Sequence, residues 1–71
     1  MKKERLKQYS VSQLKVGDIF ARNPTTREAF KVENILKDGT VEAKIRGKFQ
    51  LYPTKFKSTA IVTYLRTENN G

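Results

Sequence analysis

The clearest pattern in the chain is an alternation of apolar and polar residues on both sides of Asp38-Gly39. Residues 28–36 and 40–46 flank this pair, which readily adopts the positive φ angles of a two-residue hairpin turn. Alternate side chains of a strand share a face, so closing the turn fixes which residues lie together. The resulting register sets Lys37 opposite Thr40, Leu36 opposite Val41, Asn34 opposite Ala43 and Val32 opposite Ile45.

The last three of these pairs form one face, apolar except for Asn34, and the second face of the hairpin is polar. On the polar face Glu33 lies opposite Lys44, a favourable contact worth about 0.2–1 kcal/mol. Lys31 lies opposite Arg46 there, and a slip of one residue would turn Lys44 and Arg46 toward the core. The pattern therefore predicts a hairpin in one register.

A second hairpin is predicted directly after the first. A three-residue loop at 46–48 returns the chain and places Phe49 and Leu51 on the apolar face. The new strand covers 49–52 and ends at Pro53, because proline cannot donate to a strand ladder.

Other elements are predicted outside the two hairpins. Residues 18–22 form a strand, and residues 23–26 form a loop by composition. Residues 59–66 are a β-branched run that is apolar on both faces, as in a strand covered on both sides. Ser10 with Gln13 three residues later matches a capping box and predicts one helical turn.

Five short strands with at most a one-turn helix predict an all-β fold, a small antiparallel sheet that curls to hide its apolar face. The opening segment Leu14-Lys15-Val16-Gly17-Asp18-Ile19-Phe20 resembles the first strand of small SH3-like barrels of the KOW and Tudor kind. Those barrels have a 3₁₀ turn before the last strand, a place that residues 53–56 occupy here. The resemblance covers 14–66 and implies architecture alone, since residues 23–27 lack the glycine of KOW motifs. An OB-like barrel is the alternative.

The same pattern divides the chain into three parts. Residues 1–9 are predicted to be a basic N-terminal arm, residues 10–66 the barrel domain and residues 67–71 a disordered end. The arm either adds phosphate contacts or serves only as a solubilising tail. No apolar run approaches the ~18–20 residues of a membrane helix, and the N-terminus lacks the apolar stretch of a secretory signal. A cytoplasmic protein is expected.

Charge then narrows the function. The chain has 15 Lys and Arg against 7 Asp and Glu, a formal net charge of +8 that attracts phosphate polymers or acidic proteins. Cysteine and histidine are both absent from the sequence, which removes thiolate metal sites and the commonest general base. With no Gly-rich phosphate loop and no pair of carboxylates placed for acid–base chemistry, neither an enzyme nor a cofactor or metal is expected.

The candidate site is the basic outer face of the predicted hairpins. Such a face can follow a phosphate backbone while an aromatic ring stacks on a base. The leading hypothesis is therefore a DNA- or RNA-binding domain of a bacterial, plasmid or phage regulatory system, and the competing interpretation is a solvated surface. The candidate residues are Arg22, Arg27, Lys31, Lys44, Arg46, Lys48, Gln50, Tyr52, Lys55 and Lys57.

Two other functions fit the sequence. One is a protein-interaction module for an acidic peptide or a partner subunit, in which Tyr52, Tyr64 and Phe56 line a groove away from the basic face. The other is a homo-oligomer that buries Ile35, which the predicted register leaves facing outward. The residues assigned to the core are Phe20, Phe30 and Phe49, with Phe56 as a plug beneath its loop.

Overall fold

The computed structural model describes residues 7–25 and 28–68 and shows an all-β fold. The strands are β1 (Lys7–Ser10), β2 (Asp18–Ala21), β3 (Phe30–Ile35), β4 (Val41–Ile45), β5 (Thr54–Phe56) and β6 (Ile61–Thr67). These six antiparallel strands form one sheet in the order β1-β6-β2-β3-β4-β5, curled into a half-barrel. Within the described ranges, no helix is long and apolar enough to cross a membrane.

The predicted single helical turn is confirmed as a 3₁₀ turn over Val11–Gln13. The backbone N–H of Ser10 donates to Oε1 of Gln13 at 2.9 Å, as the capping pattern requires. Val11 is fully buried, and its N–H donates to the Ala60 carbonyl at 2.8 Å. This bond joins the 3₁₀ turn to the connection between β5 and β6 and helps to curl the sheet.

A sixth strand, β1, is present where the sequence predicted the end of the basic arm. It pairs with β6, where Tyr9 lies opposite Val62. The Tyr9 ring stacks on that of Tyr64, with the centroids 4.7 Å apart and the planes at 9°, which gives this polar segment an apolar anchor. Residues 1–6 of the predicted arm and 69–71 of the predicted end lie outside the described residues.

The β3–β4 hairpin forms as predicted, but the predicted turn and register are wrong. A three-residue loop replaces the two-residue turn, and Oδ1 of Asp38 accepts the Thr40 N–H at 2.9 Å. This side-chain bond satisfies a backbone donor within the turn and so favours the longer loop. Lys44 consequently lies opposite Lys31 and not opposite Glu33.

A β-bulge at Glu33 restores the phase of β3. Because the register shifts between Val32 and Asn34, Val32 stays on the inner face opposite Ala43, whereas Asn34 pairs with Glu42 on the outer face. The inward position predicted for Asn34 is therefore wrong. An amide buried without a partner costs about 1–3 kcal/mol, and the bulge instead lets Asn34 Nδ2 donate to Glu42 Oε1 at 3.4 Å.

The predicted strand at 49–52 is wrong. Residues 46–53 form a loop, and β5 takes the place of the turn predicted after Pro53. The side chain of Gln50 meets the end of β4 where a strand backbone was expected, since its Oε1 accepts the Ile45 N–H at 2.7 Å. Strand pairing therefore resumes only at β5.

Three phenylalanines form the centre of the core. Phe20 stacks on Phe30 with the centroids 5.7 Å apart, and Phe56 meets these two rings edge-on at 5.0 and 5.2 Å. The core positions of Phe20 and Phe30 and the plug position of Phe56 are confirmed, whereas Phe49 is 88% exposed and its core assignment is wrong. The other buried members of the core are Val11, Leu14, Val32, Val41, Ala43 and Val62.

Strand β6 lies between β1 and β2 and is covered only in part. Val62 and Thr63 are buried, but Ile61 is 57% exposed and Leu65 is 36% exposed. Since Val62 and Thr63 point to opposite faces, the strand is covered on both sides at these two residues, and the prediction is wrong at Ile61 and Leu65.

Candidate nucleic-acid interface

Residues on the outer face of the sheet form a row across four adjacent strands. Ile19 of β2 lies opposite both Lys31 of β3 and Arg66 of β6, and Lys31 lies opposite Lys44 of β4. Residues directly opposite on antiparallel strands share a face, so the row lies on the side away from the phenylalanine core. The row sets Lys31 and Arg66 on either side of the fully buried Ile19, with Lys44 next to Lys31.

A second β-bulge places Arg66 in this row. The pairing of β2 with β6 shifts so that Phe20 lies opposite Tyr64 and Ile19 lies opposite Arg66, which leaves Leu65 unpaired. Regular pairing without the bulge would set Leu65 beside Ile19 and turn Arg66 to the inner face. Bulges commonly redirect a side chain in this way.

The carboxylate of Glu68 lies among these cations. Its Oε2 is 2.9 Å from Arg46 Nη2 and 3.3 Å from Arg66 Nη2, and its Oε1 is 3.7 Å from Lys31 Nζ. We call Lys31, Lys44, Arg46 and Arg66 the basic cluster. Four positive charges less the one charge of Glu68 leave a net charge of +3 at this surface.

The backbone of Glu68 is held independently of its side chain. Its N–H donates to the Gly17 carbonyl at 2.9 Å, and the Gly17 N–H donates to the Val32 carbonyl at 3.1 Å. Gly17 has a φ of 98°, and a Cβ at this position would lie 2.8 Å from the Glu68 carbonyl oxygen. Glycine is therefore required for the chain to approach this closely.

Asp18 connects the turn before β2 to the end of β6. Its carboxylate accepts the Lys15 N–H at 2.8 Å and the Thr67 hydroxyl at 2.6 Å. Since Thr67 gives its one hydroxyl hydrogen to Asp18, the Tyr64 hydroxyl, 2.7 Å from Thr67 Oγ1, donates to Thr67. These bonds hold the residue before Glu68 in place.

The loop after β4 exposes large side chains and begins at a residue of the basic cluster. It begins at Arg46, whose N–H donates to the Ala29 carbonyl at 2.8 Å. We call residues 46–53 the apolar loop. Its exposed large side chains are Phe49 at 88%, Leu51 at 68% and Tyr52 at 74% exposure.

Gln50, a predicted contact residue, holds this loop in shape. Besides accepting the Ile45 N–H, its amide nitrogen donates to Thr54 Oγ1 at 3.2 Å and to the Tyr52 carbonyl at 3.3 Å. The amide therefore bridges the end of β4 and the start of β5, and leaves the Tyr52 side chain exposed.

Three other predicted lysines are exposed, each outside the basic cluster. Lys48 of the apolar loop is 4.0 Å from Glu28. Lys55 lies opposite Glu42 on the outer face of β5, and Lys57 follows that strand. In the part of the chain that the structure describes, none of the three contacts Glu68.

Arg22 packs against the core. Its guanidinium carbon lies 5.3 Å from the ring centroids of both Phe30 and Phe56, a cation–π geometry. The predicted site residue Arg27 lies outside the described residues. Arg66 and Glu68 were not predicted as site residues, because a β-bulge leaves no signal in a hydrophobic pattern.

The aromatic residues considered for a peptide groove lie in three different places. Tyr64 stacks on Tyr9, Phe56 is buried in the core and Tyr52 projects from the apolar loop. The stacked tyrosines face a polar cleft of about 300 Å³, which is lined by Tyr9, Gln13, Lys15, Asp18, Tyr64 and Thr67.

Comparison with protein-family models, with curated proteins and with solved structures gave no significant match to this chain. The resemblance to KOW and Tudor barrels therefore stays a prediction. Within residues 7–25 and 28–68, no group of three or more acidic side chains is placed to hold a metal ion.

Proposed function

We propose that this protein is a small cytoplasmic nucleic-acid-binding domain that acts by binding and not by catalysis. The basic cluster would contact phosphates, and the apolar loop would contact bases. The observation that carries the proposal is their adjacency, since Arg46 belongs to the cluster and also begins the loop that exposes Phe49 and Tyr52. The net charge of +8 on the chain adds long-range attraction for a polyanion.

The basic cluster has the properties of a phosphate-binding surface. Lys31 lies directly opposite Lys44, an arrangement that destabilises an isolated sheet and that an intervening phosphate would stabilise. Arg46 and Arg66 add planar guanidinium groups, whose N–H donors match phosphate oxygens. The proposal therefore accounts for two like charges that lie directly opposite each other in the sheet.

The apolar loop favours single strands over duplex. Stacking of a base on an exposed aromatic ring contributes about 1–3 kcal/mol, and it needs a base that is not already paired and stacked. Phe49 and Tyr52 are the exposed rings of the loop that begins at Arg46. We therefore expect single-stranded DNA or RNA to bind more tightly than duplex DNA.

Titrations at several salt concentrations test this proposal, with single-stranded DNA, RNA and duplex DNA compared by fluorescence anisotropy. For single strands, Lys44→Gln should lower the affinity and reduce the log–log salt slope by about 0.7, the value for one phosphate. Lys37→Gln is the matched control, because it removes the same charge from the exposed turn at the other end of the hairpin. Absence of binding at low salt, or equal effects of the two variants, would refute the proposal.

The alternative function is a protein-interaction module for an acidic peptide or partner subunit. The exposed Leu51 favours it, because leucine adds apolar area to a protein interface but has no ring for a base to stack on. If nucleic acid is the ligand, Tyr52→Ala should weaken single-strand binding by about tenfold, whereas Leu51→Ala should have little effect. If the two variants lose single-strand affinity to the same extent, the loop makes an apolar contact of the kind found in protein interfaces. Both residues are exposed, so neither variant should shift stability by more than about 0.5 kcal/mol.

A further inference from the structure

We infer that Lys31, Arg46 and Arg66 form a phosphate subsite that the Glu68 carboxylate occupies in the free protein. Glu68 would then act as an internal competitor that a backbone phosphate must displace. The identity of the ligand as nucleic acid rests on the proposed function, whereas the anion subsite rests on the contacts around Glu68.

The contacts of Glu68 are those that a phosphate would make. Guanidinium groups bind carboxylates and phosphates through the same N–H donors. Oε2 of Glu68 is shared between Arg46 at 2.9 Å and Arg66 at 3.3 Å, and Oε1 is 3.7 Å from Lys31. Two oxygens that share one charge thus serve three cations, and the two non-bridging oxygens of a backbone phosphate, which also share one charge, can serve the same donors.

The Glu68 side chain can leave without unfastening the chain. The Glu68 N–H is bonded to the Gly17 carbonyl, and Thr67 is bonded to Asp18, so the backbone is held whether or not the carboxylate is in the cluster. The ion pairs are also partly exposed, with 26% of the Glu68 side chain and 59% of the Arg66 side chain accessible to solvent. Exposed pairs contribute little to stability, so displacing the carboxylate costs little.

The test compares Glu68→Gln with Glu33→Gln for binding of single-stranded DNA. Both substitutions remove one negative charge, but Glu33 lies at the β3 bulge and makes no ion pair with another described residue. Glu68→Gln should raise the affinity about five- to tenfold at low salt, because one repulsive charge leaves the phosphate position. The salt slope should also steepen by about 0.7 if one more phosphate is neutralised. Glu33→Gln should raise the affinity by about twofold or less, since screening weakens a more distant charge.

A second probe, inorganic pyrophosphate, makes the subsite testable without nucleic acid. In Glu68→Gln, pyrophosphate should give saturable NMR shifts of the Arg46 and Arg66 Nε–H signals, with weaker shifts in the wild-type chain. If the wild-type chain fails to bind any nucleic acid, the proposed function fails, and these shifts still decide the subsite.

Three outcomes would overturn the inference. One is an affinity of Glu68→Gln for DNA that is equal to or lower than that of Glu33→Gln, in a wild-type protein that does bind DNA. Another is the absence of pyrophosphate shifts at Arg46 and Arg66 in Glu68→Gln. The third is failure of Glu68→Gln to fold, because that would show that the carboxylate serves the fold.

Discussion

Gly17 lies at a position where the structure leaves no room for a side chain. A Gly17→Ala substitution adds a single methyl group, but that atom would lie 2.8 Å from the Glu68 carbonyl oxygen. The contact is with backbone, so no side-chain rotation relieves it. The end of β6 would have to move away from the turn before β2, and the hydrogen bond from Glu68 to Gly17 would weaken.

The magnitude can be separated into two parts by a matched variant. Gly47 has a φ of 82°, close to the 98° of Gly17, but a Cβ at Gly47 meets nothing within 4 Å. Gly47→Ala should therefore report the conformational cost alone, about 1–2 kcal/mol. Gly17→Ala should cost about 2–4 kcal/mol, because it adds the loss of a hydrogen bond and local strain to the same conformational term.

Urea denaturation of the wild type and the two variants measures the free energies of unfolding, from the midpoints and slopes. Amide exchange at Glu68 gives a second readout, since Gly17→Ala should expose that N–H while Gly47→Ala should leave it protected. Equal destabilisation by the two variants would refute the reasoning, since the close approach of Gly17 to Glu68 would then carry no energy.

Two further predictions concern side chains that replace backbone partners. Gln50→Leu should destabilise the fold by about 1–2 kcal/mol, because the Ile45 N–H loses its acceptor. Gln50→Glu keeps an acceptor oxygen for that N–H but loses the amide donor to Tyr52 and Thr54, so it should recover part of the loss. Equal denaturation midpoints for the two variants would contradict this. The Thr40 N–H and then the Thr40 hydroxyl hold the pKa of Asp38 below its ordinary value. Asp38 therefore favours the folded state above that ordinary value, near pH 4, and the contribution is lost as the pH falls through the lowered pKa. Asp38→Asn should flatten this part of the profile of stability against pH, and an acid profile identical to that of the wild type would show that the hydrogen bonds carry no linkage.

Much of the fold follows from local pattern. The hairpin around Asp38-Gly39 and the capped turn after Ser10 are set by residues close in sequence, and both are present. The inner positions of Phe20 and Phe30 follow from alternation within single strands, and those residues are buried. Predictions of this kind succeed because each depends on a few neighbouring residues.

The errors lie where side-chain hydrogen bonds to the backbone override the apolar pattern. Phe49 continues the apolar alternation, yet it is exposed, because the Gln50 amide occupies the end of β4 and delays strand pairing until Thr54. No hydrophobic pattern distinguishes an amide that replaces a strand backbone from an amide on the surface.

The candidate site was predictable in part. Lys31, Lys44 and Arg46 were expected on the outer face, and the first two lie in the row while Arg46 joins it through Glu68. Arg66 could not be placed there, because its position depends on an extra residue in β6 that only strand pairing reveals. Sequence pattern therefore located the basic face but not the acidic residue among its cations.

The two bulges let β3 and β6 each hold one residue more than their strand pairing uses. Deleting Leu65 would place Arg66 directly after Tyr64, so Arg66 would still lie opposite Ile19 on the outer face. Deleting Glu33 would likewise leave Asn34 opposite Glu42. An engineered variant should therefore be able to lose either extra residue and keep its cations on the same face of the sheet.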